Sequence, residues 1–201
     1  MTHYKGDLVV SRYNEDVSWL DKVSGYNTFL YNKGGQLDSS IPLPNVGREL
    51  STYLHHIITN YDDLSEWTFF TQGHPFDHVM DYLEVLKEFP QKVLSHVINM
   101  DDKVYFLSNG FFTRVLHSKS DGKPHHFVPL DIDDTWRKLF KDPPLSEYPF
   151  AAGAIFISHR DVIRSRTIDF YKKVNDICLG KDVAPWEFER LFPSIFNITI
   201  K

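Results

Sequence analysis

The order of apolar runs and turn signals predicts an α/β protein with a mostly parallel central sheet. Short apolar runs of strand length alternate with longer runs at the helical period, the pattern of strands linked by crossover helices. The 201 residues are 42% hydrophobic and 15% aromatic, enough for one full core. No Pro/Gly-rich linker, repeat or charge block divides them, so residues 1–201 read as a single domain, either whole or the first part of a longer protein.

Leu8-Val9-Val10-Ser11 and Thr28-Phe29-Leu30-Tyr31 read as buried strands. Gly34-Gly35 then breaks the chain, and Pro42 and Pro44 keep the next stretch extended. A helix begins near Arg48, because Leu50, Tyr53, Leu54, Ile57, Ile58 and Tyr61 recur on one face; Asp62-Asp63 and Ser65 close it. Trp67-Thr68-Phe69-Phe70-Thr71 has strand composition and is broken by Gly73 and Pro75. A second helix is expected from Asp77 to Pro90, with Val79, Met80, Leu83 and Leu86 facing inward. Val104 to Leu107 and Phe111 to Leu116 are short extended elements, and Ser118 to His126 is a polar loop that puts His125-His126 on the surface. Trp136 to Phe140 makes a helical turn, Ala154 to Ile157 a strand, and Arg160 to Cys178 a long helix stopped by Gly180. Pro185 opens a last helix through Phe192.

Composition narrows the function classes. The net charge is −5, against the basic excess usual in nucleic-acid binders. No apolar stretch approaches the roughly 20 residues of a membrane span, and the first residues lack a secretory pattern. The single cysteine, Cys178, fits a reducing compartment, so a cytoplasmic location is expected.

Ligands of open α/β sheets bind beyond the carboxyl ends of the strands. Four polar segments are expected to meet there: Arg12 to Asp16, Asn32 to Gly35, Asn45 to Glu49 and Gln72 to His78. Arg12, Lys33 and Arg48 bring enough positive charge for a diphosphate. No GxGxxG, Walker loop or HExxH is present. His74 and His78 stand four apart with Asp77 between them, although Pro75 keeps His74 off a helix; a turn cap and a solvated ring account for the same spacing. Asp131 and Asp133, if extended, share a face and suit Mg²⁺ or Mn²⁺. The competing reading, favoured here, makes Asp133 or Asp134 the N-cap of the Trp136 helix.

The blocks Tyr13-Asn14-Glu15, Asn45-Val46-Gly47-Arg48 and Phe69 to Gly73 resemble the nucleotide half of GT-A glycosyltransferases. Arg12 to Leu20, Asn45 to Leu54, Phe70 to His78 and Glu189 to Phe192 also resemble a family of uncharacterised fungal, bacterial and algal-virus proteins, with chlorella-virus capsid-glycan glycosyltransferases as the nearest functional relatives. The resemblance implies a GT-A-like, Rossmann-like three-layer sandwich. It further implies transfer of a sugar from a nucleoside-diphosphate sugar, UDP by preference, to a glycan or glycoprotein acceptor, in the cytoplasm of an infected cell if the source is viral. One departure stands out: GT-A enzymes usually carry Asp-x-Asp where this chain has Gln72-Gly73-His74.

On that resemblance, Arg12, Tyr13, Asn14, Glu15, Lys33, Asp38, Asn45, Gly47, Arg48, Gln72 and Gly73 are the expected donor-binding residues. Asp77, with His74 or His78, is the expected ligand set for Mn²⁺ or Mg²⁺. An inverting transfer needs a base for the acceptor hydroxyl. Glu187 and Glu189 are the candidates; two residues apart, they leave opposite sides of a helix. An ion pair of Glu189 with Arg190 is the plain structural alternative. Small residues from Ala151 to Ala154 would let an acceptor approach. Two other functions fit the same residues: a metal-dependent hydrolase using His74, Asp77 and His78, and a non-catalytic nucleotide-sugar-binding module using Trp67, Trp136, Tyr148 and Trp186.

Overall fold

The computed structural model describes residues 5–90, 97–99, 103–107, 112–116, 130–151 and 153–197. In chain order the elements are β1 (Asp7–Arg12), β2 (Asn27–Asn32), β3 (Ile41–Pro42), α1 (Arg48–Thr59), β4 (Trp67–Gln72), α2 (Tyr82–Glu88), β5 (Val97–Asn99), β6 (Val104–Leu107) and β7 (Phe112–Leu116). They continue with α3 (Ile132–Leu139), β8 (Glu147–Ala151), β9 (Ile155–His159), α4 (Arg160–Ile163), α5 (Ile168–Gly180) and α6 (Ala184–Ile195). Single 3-10 turns span Ser18–Lys22 and Pro75–Asp77.

Among the described residues the main sheet has seven strands in the order β3-β2-β1-β4-β9-β6-β5. The β3-β2-β1-β4 half is parallel throughout, and every pairing from β4 to β5 is antiparallel. The sheet is therefore mixed, its strands β1, β2, β3, β4 and β6 running one way and β9 and β5 the other. Strands β7 and β8 pair separately as a two-stranded sheet.

Alternation along the strands sends side chains to two cores. Val9, Tyr31, Phe70, Phe106 and Phe156 join residues of α1, α3, α5 and α6 on one face. Leu8, Val10, Phe69, Tyr105, Ile155 and Ile157 join Trp19, Tyr26 and α2 on the other. Helices thus cover both faces, which gives the three layers of an α/β sandwich. Each fully buried side chain of this size contributes about 1.5–3 kcal/mol.

Several expected elements differ in detail. The helix expected from Asp77 starts at Tyr82, because Pro75 opens a separate 3-10 turn; Met80 falls between them and is 76% exposed. The helix expected from Arg160 to Cys178 is two helices. The Thr167 hydroxyl accepts from the Phe170 N–H and so caps a new start after the short α4. Gly180 belongs to the last turn of α5 and does not terminate it. The Ser118–His126 loop, with His125 and His126, lies outside the described residues.

Register sets the position of the site. Arg12 pairs with Asn32, and Ser11 with Gln72, so β1, β2 and β4 end at one level. Their following loops leave from the same sheet edge.

Candidate functional site

Close backbone contacts lace these loops together. The Arg12 guanidinium donates to Asn32 Oδ1 (2.7 Å), Tyr13 O (3.1 Å) and Glu15 O (2.9 Å). The Gly35 N–H donates to Asn14 Oδ1 at 3.0 Å, and the Tyr13 N–H to Glu15 Oε2 at 2.6 Å. The Tyr13 carbonyl fills the space a Cβ at residue 34 would need. At Gly73, a Cβ would come within 2.8 Å of Glu15 Oε2, and Trp19 Nε1 donates to the Gly73 carbonyl at 2.8 Å. The turn after β4 is thereby tied to the turn after β1.

A cleft of about 540 Å³ opens beside this lacing; Arg12, Asn14 and the carboxylates of Glu15, Asp16, Asp21 and Asp38 are among its polar lining, and Leu30 and Leu37 among its apolar lining. Four of the expected donor-binding residues therefore share one cavity. Tyr13, the fifth from this edge, is exposed next to them. Such a mixture of apolar walls and a few convergent polar groups is typical of small-molecule sites.

Lys33 does a different task from the diphosphate contact expected of it. It is buried, and its ammonium donates to Val46 O (2.7 Å), Ser51 Oγ (2.5 Å) and Arg48 O. Burial pushes its pKa down to about 8. These bonds wrap the segment before α1 around the ammonium. Asn45 is exposed in that segment. Gly47 and Arg48 follow with φ of +63° and +47°, and a Cβ at Gly47 would approach Ser51 Cβ to 2.7 Å and Cys178 Sγ to 2.9 Å. Left-handed backbone at a non-glycine residue such as Arg48 is strained. The Arg48 guanidinium lies 4.9 Å from the Trp186 ring centroid and 3.6 Å from a Glu49 oxygen, its side chain 54% exposed.

At the end of β4, Gln72 Nε2 donates to Gly153 O at 2.6 Å, and the Gly153 N–H donates to Glu189 Oε1 at 2.7 Å. The other Glu189 oxygen is 3.1 Å from Arg190 Nη1. The carboxylate side chain is 14% exposed. Burial pushes its pKa up, and the Gly153 N–H and Arg190 oppose that shift.

His78 packs its ring against Gly153. His74 Nε2 and Asp77 Oδ1 lie 3.7 Å apart on the exposed side of the turn. Among the described residues no three His, Cys, Asp or Glu side chains form a metal-holding group. A hard octahedral cation needs only one or two protein ligands when phosphates and water complete its shell. Asp77 offers one such oxygen ligand, the His74 imidazole beside it is a softer donor, and His78 is turned elsewhere.

Glu187 is 0% exposed and faces the opposite side of α6. It accepts from the Asp131 N–H (2.6 Å), Thr135 Oγ1 (2.6 Å) and Lys181 Nζ (2.6 and 2.8 Å), and so joins α6 to the start of α3. The acidic segment ahead of it is helical from Ile132, which removes the extended face proposed for Asp131 and Asp133. Asp131 itself is the N-cap, accepting from the Asp134 N–H at 3.0 Å, and Asp133 accepts from the Tyr148 hydroxyl at 2.8 Å.

The site thus gathers Arg12, Asn14, Glu15 and Asp38 in a cleft, and Gln72 and Glu189 around Gly153. It diverts Lys33 and Glu187 to internal joints. Sequence reasoning missed Gly153 as the bridge between Gln72 and Glu189; its place in a run of small residues was the only signal.

Fold and site together define an α/β protein of mixed sheet whose polar loops collect beyond the carboxyl ends of its parallel strands. The chain belongs to the DUF3431 family, described as a protein of unknown function, which matches residues 8–200. No curated protein and no solved structure matches the chain. Among the described residues no helix is long and apolar enough to cross a membrane.

Proposed function

We propose that the protein is a glycosyltransferase of GT-A type that transfers a sugar from a nucleoside-diphosphate sugar to a glycan or glycoprotein acceptor. The observation that carries this reading is the cleft at the common end of β1 and β2, tied by Glu15 to Gly73 at the end of β4, where Gln72 and Gly153 lead on to the sheltered Glu189 carboxylate of α6. Open α/β sheets hold nucleotides at such strand ends.

In this reading the nucleoside occupies the cleft. Asp38 and Asn14 accept or donate hydrogen bonds to its hydroxyls and base, and Leu30 and Leu37 cover its apolar faces. Arg48, half exposed on Trp186, meets the diphosphate and offsets the charge that grows as the sugar–phosphate bond breaks. Mn²⁺ or Mg²⁺, held by His74 and Asp77, would supply further positive charge to the leaving group. Glu189 takes the proton of the acceptor hydroxyl as that oxygen bonds to the anomeric carbon; its raised pKa suits it to that task.

Calorimetry of the full chain with a panel of nucleotide-sugars, with and without Mn²⁺, tests the proposal. Binding of a nucleoside-diphosphate sugar, strengthened by the metal, is expected; no binding under any of these conditions overturns it. One observation favours a second reading, a non-catalytic nucleotide-sugar-binding module: both Glu189 oxygens already have protein partners. Donor binding without turnover on any acceptor or water would select that reading.

A further inference from the structure

We propose that Gln72 is a positioning residue for Glu189, acting through Gly153, so that the end of β4 fixes where the final helix presents its carboxylate. The inference deepens the transferase reading and rests on it for the role of Glu189. Its geometric basis is independent of that reading.

Three contacts meet on one residue. Gln72 Nε2 holds the carbonyl of Gly153 at 2.6 Å, and the N–H of Gly153 holds Glu189 Oε1 at 2.7 Å. The His78 ring sits where a side chain at residue 153 would go, 2.6 Å from an ideal Cβ, and closes the third side. The residue adopts φ +107°, and Ala154 follows at +51°. Two successive left-handed residues form a turn that local sequence preference does not hold by itself. The bond from Gln72 supplies a restraint on that turn from the strand, and the turn passes it to Glu189.

The strand supplying this restraint is central: β4 lies between β1 and β9, and the side chains of Phe69 and Phe70 are fully buried. Gln72 is the last residue of that rigid element, whereas Glu189 lies across the chain on α6. A functional carboxylate is best held by groups whose own position is fixed by packing. Gln72 meets that condition from outside the helix that carries Glu189, whereas Arg190 belongs to the same helix.

Replacing Gln72 with Met keeps its length and removes the donor. The Glu189 side-chain carboxyl, followed by carbon-13 NMR in the full chain, should titrate at higher pH in Gln72→Met, because the displaced Gly153 N–H no longer favours the charged form. An unchanged titration in a folded Gln72→Met protein overturns the proposal. Gln72→Ala is the second variant and should move the titration in the same direction. In the unmodified protein the Gly153 amide nitrogen shift should follow the Glu189 midpoint; an amide signal flat across that range also overturns the coupling. Nucleotide-sugar calorimetry on the unmodified protein separates the two ideas. A shifted titration in the variants, with unmodified protein that binds no donor, upholds the coupling and rejects the transferase, while donor binding by the unmodified protein with an unmoved titration in the variants does the reverse.

Discussion

The imidazole of His78 occupies the space that a side chain on Gly153 would need, with Cγ 2.6 Å and Nδ1 2.8 Å from an ideal Cβ. The glycine at 153 is therefore required twice, by its left-handed φ of +107° and by its neighbour. Gly153→Ala is expected to destabilise the protein by about 1–3 kcal/mol from backbone strain alone. Adding His78→Ala should recover only the part due to the clash. Urea unfolding of the single and double variants measures both parts.

Arg48 and Lys33 make opposite predictions although both are basic and close in the fold. Arg48→Ala removes an exposed charge, so it should leave the unfolding midpoint nearly unchanged. Under the proposed function it should weaken nucleotide-sugar binding about ten- to a hundredfold, the usual worth of a charge-assisted bond. Lys33→Met takes the buried ammonium donor from the carbonyls of Val46 and Arg48, leaves only the Ser51 hydroxyl to bond them, and should lower the melting temperature. Thermal melts beside calorimetry distinguish the two.

Glu187 and Glu189 offer a similar contrast on one helix. Glu187→Ala leaves the Lys181 ammonium and the Asp131 N–H without their acceptor and should cost about 3–5 kcal/mol. Glu189→Gln keeps an acceptor oxygen for Gly153 and should cost much less stability. Under the proposed function it should abolish most sugar transfer while donor binding persists. A Glu189→Gln protein with full activity would reject Glu189 as the base.

Acid sensitivity should arise in the core, at His56. His56 is buried beside Tyr31, whose hydroxyl is 3.1 Å from Nδ1, with Asp7 4.0 Å from Nε2. Burial, reinforced by the neighbouring His55, lowers the His56 pKa from 6.5 to about 3. The unfolded chain therefore binds a proton that the folded chain refuses. This contribution is complete above pH 6.5 and is lost as pH falls toward 3. The slope reaches about 1.4 kcal/mol per pH unit for one proton. His56→Gln should flatten that part of the stability profile in urea titrations at stepped pH.

The parallel half of the fold was legible because β1, β2, α1 and β4 each carry their own local period. Their strand-end loops followed from connectivity alone. The antiparallel half was less so: β5 is only Val97–Asn99, and β9 reaches its partners β4 and β6 from far along the chain. Thr167 restarts a helix that periodicity reads as continuous, because Ile163, Phe170 and Val174 keep one apolar face across the break. The separation of Glu187 from Glu189 was readable from helical geometry. Which of them met Asp131 and Thr135 was not, since that pairing depends on how α6 packs against α3. The burial of Lys33 was equally hidden, because a lysine after a strand has the same sequence whether it points to water or under a helix.

The outermost strand on the parallel side, β3, is only Ile41–Pro42, and Pro42 has no N–H to offer a neighbour. A second chain seeking to add a strand there finds almost no template. This border can thus leave Ile41 exposed without inviting strand-by-strand self-association.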